Sequence, residues 1–160
     1  MRWLAILFLS VGQLIAQSTI FVVRHADRYG TEPDPDITPE GRRQAAALAK
    51  LLGDSHITRI FTSEAVRTHQ TAEPSAQIFH LKPVVIDSKD LDELVKRVRA
   101  GLKPGEATLI VGHRATVPRI VKQLAGKDVT PLETGEYTRL EVVTLFPDGR
   151  SSVITLRFGT

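Results

Sequence analysis

Arg24, His25, Arg67 and His113 are the side chains in this 160-residue chain best suited to hold an oxyanion and act on it. "VVRHAD" closes an apolar run in Arg24 and His25, and "LIVGHRA" closes another in His113. Arg67 comes shortly after a third run, "ITRIFTS". A guanidinium is a planar fork that grips two oxygens at once and does not lose its proton. An imidazole is neutral near pH 7, so one ring nitrogen can be tied by a hydrogen bond while the other reacts. Taken singly, each is an ordinary polar residue at the end of a strand. Together they require a fold that gathers remote segments at one rim.

Competing chemistries are few. Cysteine is absent, which removes disulfides, thiolate metal sites and a cysteine nucleophile. His56, His69 and His80 lack the paired spacing of metal ligands, so no metal and no cofactor is expected. The net charge is only +3, with lysines and arginines interspersed among acids, which argues against a nucleic-acid partner. Arg42, Arg43, Arg97 and Arg99 fall on helical stretches, where solvated charge is the default.

The elements that would position the four side chains alternate. "TIFVV" reads as a strand, and a polar, proline-rich loop, "YGTEPDPDI", leads into "TPEGRRQAAALAKLLG". That helix has Thr38 as its N-cap, Pro39 in its first turn and Gly53 as its stop. "ITRIFTS" is a second strand, and "EAVRTHQTAEPSAQIF" a helix expected to kink or break at Pro74. "KPVVI" reads as a third strand and "DLDELVKRVRAGL" as a helix. "ATLIVG" is a fourth strand and "VPRIVKQLAG" a helix closed by glycine. "YTRLEVVTLF", the turn "PDG" and "SSVITLRFG" form an antiparallel hairpin. Alternation of this kind implies a three-layer α/β/α sandwich on a mainly parallel sheet, the hairpin supplying an edge. Ligands bind beyond the carboxyl ends of such strands. Three strand ends therefore bring Arg24 and His25, Arg67, and His113 with Arg114 to one rim.

Ahead of this domain, "MRWLAILFLSVGQLIAQS" has Arg2, an apolar run to Val11 and a small residue at Ala16. That is the layout of a signal peptide over residues 1–16, with the mature domain at 17–160. A stable membrane anchor needs roughly 20 apolar residues, and Gln13 and Gln17 interrupt this run. Leu14 stands where a small residue is preferred before cleavage. The expected location is periplasmic or secreted, and the expected state a monomer.

Four of these segments, "VVRHAD", "ITPEGRRQA", "TSEAVRTHQTAEP" and "LIVGHRA", in this order and spacing, resemble the histidine phosphatase superfamily, with its phosphoglycerate mutase-like fold. The similarity runs from Ile20 to the final hairpin and is closest to small, exported bacterial members without a cap domain. The resemblance implies a metal-independent phosphatase acting on a small phosphomonoester through a phosphorylated histidine. By the same resemblance His25 is the nucleophile, and Arg24, Arg67 and His113 form the phosphate pocket. The residue types suit that role, since phosphoryl transfer is largely positioning plus fixed positive charge. The backbone N–H groups opening the helix after Ser63 are expected to join the phosphate site.

The chain departs from the family pattern in places. Ala26 replaces the usual glycine, and Arg114 and Ala115 follow His113. "DSKDLDELV" leaves no room for a lid after the third strand. The general acid is therefore open between Asp27, on the nucleophile loop, and Glu93, in the family's L-x-E placement. Two other functions stay open: a phosphohistidine or phosphoramidate phosphatase, and a non-catalytic phosphate-binding module.

Overall fold

A strand of β-branched and aromatic residues, β1 (Ser18–Arg24), alternates its side chains between two cores. Ile20 and Val22 enter one core, Val23 and Phe21 the other. The computed structural model describes residues 17–30 and 32–159. The expected signal peptide, residues 1–16, lies outside them. Along the chain follow α1 (Pro39–Leu51), β2 (Ile57–Thr62), α2 (Val66–Phe79), β3 (Val84–Val85), α3 (Leu91–Ala100), β4 (Ala107–Gly112), α4 (Val117–Ala125), β5 (Arg139–Leu145) and β6 (Ser151–Arg157). The strands form one six-stranded sheet in the order β3-β2-β4-β1-β5-β6. The pairs β2–β3, β2–β4 and β1–β4 are parallel, whereas β1–β5 and β5–β6 are antiparallel.

Helices cover both faces, giving the expected three layers. Leu91, Leu94 and Val98 of α3 and Val117, Ile120, Val121 and Leu124 of α4 pack on one face with Ile20, Val22 and Ile110. Leu48 and Leu52 from the α1 end and Ala72 of α2 pack on the other with Val23, Ile60, Leu109 and Val111. Burying each such aliphatic side chain is worth ~1.5–3 kcal/mol. β4 is buried along its whole length, which explains its uninterrupted apolar sequence. Among the described residues no helix is long and apolar enough to cross a membrane.

Three expectations are corrected. Pro74 neither ends nor splits α2, which runs unbroken from Val66 to Phe79. The proline lacks an N–H and its ring crowds the Gln70 carbonyl, but buried Thr71, Ala72 and Ser75 hold both halves against the molecule. "KPVVI" contributes only Val84 and Val85 to the ladder, at the sheet edge beside the last two residues of β2. Arg99 is no simple solvated charge: Nη2 donates to the carbonyls of Gln123 and Leu124, closing the end of α4.

Candidate phosphate-binding active site

The site follows from strand register. β1 and β4 pair in parallel with Arg24 opposite Gly112, so the residues that follow emerge side by side. The His25 N–H donates to the Gly112 carbonyl at 2.9 Å, and the His25 and His113 rings stand edge to face with centroids 5.5 Å apart. β2 lies on the other side of β4 with Thr62 opposite Val111, placing Ser63 beside His113. Ser63 Oγ lies 2.9 Å from His113 Nε2. Arg67, in the first turn of α2, brings Nη2 to 3.4 Å from His113 Nδ1. A guanidinium can only donate, so Nδ1 of His113 accepts and Nε2 carries the proton toward Ser63. The structure thus brings Arg24, His25, Arg67 and His113 together from three strand ends.

The loop after His25 is tightly held. Ala26 N–H donates to Thr71 Oγ1, and Asp27 N–H to Gln44 Oε1, both at 2.8 Å. Thr71 Oγ1 in turn donates to the Arg67 carbonyl at 2.7 Å, tying the loop after His25 to the turn that carries Arg67. Asp27 also receives α1: Thr38 N–H donates to its carbonyl, and the Thr38 hydroxyl to its Oδ2 at 2.8 Å. Gly41 is required here, because a Cβ would lie 2.1 Å from the Asp27 carbonyl oxygen.

His25 is buried, and its Nδ1 donates to the carbonyl of Ala26 at 2.8 Å. Nε2 makes no hydrogen bond among the described residues and carries the lone pair. Burial, reinforced by repulsion from Arg24, His113 and Arg67, pushes His25 down to about 3 despite the Ala26 carbonyl. His113 is pushed down to about 4, by burial first and the Arg67 charge second. Both rings are therefore neutral at pH 7, and His113 adds no third positive charge to Arg24 and Arg67.

Both arginines are anchored by the same nitrogen. Arg24 Nη1 donates to the carbonyls of Glu133, Thr134 and Glu136 at 3.2, 2.7 and 3.3 Å. Arg67 Nη1 donates to Asp34 Oδ1 at 3.1 Å. In each the Nε is buried without a partner. A buried, unpaired donor costs ~1–3 kcal/mol, and Nε with Nη2 forms the edge that grips two oxygens of an anion. Two guanidinium edges with unpartnered Nε groups, that of Arg67 also touching His113 Nδ1 through Nη2, suit a tetrahedral oxyanion beside the His25 ring. Among the described residues no group of three or more His, Asp and Glu could hold a metal.

Several contributors were not legible beforehand. Tyr137 lays its ring over Arg24, 4.1 Å from the guanidinium carbon, and its centroid lies 6.1 Å from that of His25. Only an aromatic near the start of a strand marked it. The α2 N-terminus, expected to serve the phosphate, already takes a carboxylate: Val66 N–H donates to both oxygens of Asp34 at 3.0 and 3.1 Å. Glu93 accepts from Arg97 at 2.7 Å and pairs with Lys96 on its own helix. Those partners hold it below the usual carboxylate range, the Arg97 hydrogen bond contributing most. Arg114 is exposed at the rim.

Comparison with known proteins agrees with this geometry. The sequence model of the histidine phosphatase superfamily (branch 1) matches residues 20–95, which hold Arg24, His25, Asp27, Arg67 and Glu93. Over residues 20–95 the chain matches the histidine phosphatase superfamily. Its fold is similar to that of the protein histidine phosphatase SixA complexed with tungstate, at 21% identity and a TM-score of 0.69, over 87% of this chain and 96% of that one. A mycobacterial glucosyl-3-phosphoglycerate phosphatase is similar at 12% identity and TM-score 0.70, over 89% of this chain and 100% of that one. The alpha-ribazole phosphatase from Shigella flexneri is similar at 14% identity and TM-score 0.68, over 87% and 96%. No curated protein matches the sequence significantly. At such identities the superfamily's fold is shared, and His113 is placed by the structure rather than by the family match.

Proposed function

We propose that the protein is an exported, metal-independent phosphatase that hydrolyses phosphomonoesters through a phosphohistidine on His25. The observation that carries this reading is the tethered imidazole. Nδ1 of His25 is bound to the Ala26 carbonyl and Nε2 stands uncommitted beside two arginines with unpaired buried Nε groups. A phosphate seated on both Nε–Nη2 edges has its phosphorus within reach of that nitrogen. Nε2 attacks phosphorus, the bond from phosphorus to the ester oxygen breaks, and the departing alkoxide takes a proton, for which Asp27 is the nearest donor in sequence. Arg24 and Arg67 bind the charge that builds on the equatorial oxygens. His113, with its Nε2 proton 2.9 Å from Ser63 Oγ and its ring 5.5 Å from that of His25, adds a neutral donor once that proton turns from Ser63 to a phosphate oxygen. Water then attacks the phosphohistidine and gives a proton back to the Asp27 carboxylate, the P–N bond breaks, and inorganic phosphate leaves. One water is consumed per ester, and every group named belongs to the chain.

The exported location follows from the layout of residues 1–16 and is part of the same proposal, as is a monomeric state. The substrate is read as a small, accessible ester, since no insertion follows β3 to close over the rim. Turnover of a phosphomonoester panel by the mature protein tests this reading, and failure on every member would reject it. A second reading is favoured by the likeness to SixA: the same pocket would cleave a P–N bond in a phosphohistidine or phosphoramidate. A higher kcat/KM for phosphoramidate than for any ester would select it. Binding of phosphate with no covalent intermediate and no turnover would instead mark a non-catalytic module.

A further inference from the structure

We propose that Asp34 is a positioning residue for phosphoryl transfer: its carboxylate, clasped to the first turn of α2, sets the Arg67 guanidinium so that its Nε–Nη2 edge receives the phosphate. The inference rests on the phosphatase reading above.

Asp34 belongs to the loop joining β1 to α1, which is stapled to α2 rather than left to solvent. Asp34 takes the Val66 N–H on both oxygens and Arg67 Nη1 on one. Three residues on, Ile37 N–H donates to Gln70 Oε1 at 2.8 Å, and Gln70 Nε2 donates to Asp36 Oδ1 at 2.8 Å. An isolated bridge between Arg28 and Ile37 returns the loop to the segment that carries His25. The position of Asp34 is therefore set from both ends, by the nucleophile loop and by α2.

Arg67 is a long side chain with many rotamers, and its usefulness depends on which edge it presents. Asp34 takes Nη1 at 3.1 Å, and His113 Nδ1 lies 3.4 Å from Nη2. The Asp34 contact holds Nη1, the nitrogen outside the Nε–Nη2 edge, and so stays in place when phosphate takes Nη2 from His113. The bidentate edge remains, with its Nε buried and unpartnered. Arg24 meets the same need with three main-chain carbonyls. Asp34 is the counterpart of those carbonyls, supplied by a side chain.

Two other roles would place the same carboxylate there. It could serve only as a cap for α2, or it could occupy the phosphate's own donors and hinder binding. A double-mutant cycle on the mature protein separates all three. Wild type, Asp34→Ala, Arg67→Ala and the double variant are compared by kcat and KM for p-nitrophenyl phosphate, by the Kd for orthophosphate and by thermal midpoint. If Asp34 acts through Arg67, Asp34→Ala lowers kcat/KM about 10- to 100-fold in the wild-type background, chiefly in kcat, as a small misplacement does. In the Arg67→Ala background it changes kcat/KM by less than about threefold, because the two effects are one. Asp34→Glu restores part of the loss. Equal losses in both backgrounds would assign Asp34 to capping alone and overturn the proposal. Unchanged kcat/KM, or tighter orthophosphate binding by Asp34→Ala, would overturn it as well. If wild type shows no turnover, the phosphatase reading fails separately. The cycle is then read on the orthophosphate Kd, where the same non-additivity is expected and additivity contradicts the proposal.

Discussion

Arg24 and Gly112 face each other across the parallel β1–β4 ladder, and this pairing sets His25 and His113 edge to face at 5.5 Å. A slip of one residue would turn every side chain of β1 to the other face of the sheet, moving Ile20 and Val22 out of their core. The geometry of the site is therefore guarded by the packing of the sheet. The placement of the two histidines and the stability of the sheet share one cause.

Asp27 provides the first prediction. Its Oδ2 takes the Thr38 hydroxyl, and no hydrogen bond among the described residues engages Oδ1. If Asp27 protonates the leaving group, Asp27→Asn slows phenyl phosphate by about 10²–10⁴-fold, the usual worth of a positioned acid. The nitrophenyl ester, whose leaving group needs no proton, slows far less. Equal slowing of both esters would assign Asp27 to holding Thr38 and the start of α1.

Much of this arrangement was legible in the sequence because it is local. β-Branched runs, Thr38 with Pro39, and glycines after helices mark the elements, and strand ends mark His25 and His113. What was illegible is long-range. Asp34 caps a helix more than thirty residues away, and the carbonyls of Glu133, Thr134 and Glu136 meet Arg24 from the far side of the chain. No periodicity records such contacts. Of the kink or break that Pro74 signals, the break is overridden by the packing of α2.

The histidines give stability a pH dependence. Their folded values, about 3 for His25 and about 4 for His113, lie below the ordinary 6.5. Between those values the unfolded chain binds protons that the folded chain does not, so stability falls as pH drops through that window. Each group adds up to ~1.4 kcal/mol per pH unit. Urea midpoints from pH 7 to pH 4 should decline, and His25→Gln should flatten the decline. An unchanged slope in that variant would contradict the buried, neutral His25. The same neutrality places the acid limb of kcat/KM below about pH 4.

Glu141 is fully buried and accepts Arg139 Nε and Thr155 Oγ1, each at 2.6 Å. Arg139 also pairs with Glu136, whose carbonyl holds Arg24. Glu141→Ala leaves the buried Arg139 guanidinium only its longer contact to Glu136, so about 3–5 kcal/mol of stability should be lost in urea denaturation. A loss under about 1 kcal/mol would mean that Arg139 re-pairs with Glu136 alone.

Processing tests the exported state. Mass spectrometry of the protein from its native host should find the N-terminus near Gln17. A soluble chain still beginning at Met1 would refute export and strengthen the phosphohistidine phosphatase reading.

Covalent phosphorylation of His25 is the central claim, and rapid quench into alkaline denaturant followed by peptide mapping reads it directly. The account predicts a phosphoryl group on His25 that forms and decays at rates compatible with kcat, and neither label nor turnover in a folded His25→Ala variant. Turnover with no phosphohistidine on His25, or with most activity retained in that variant, would contradict it.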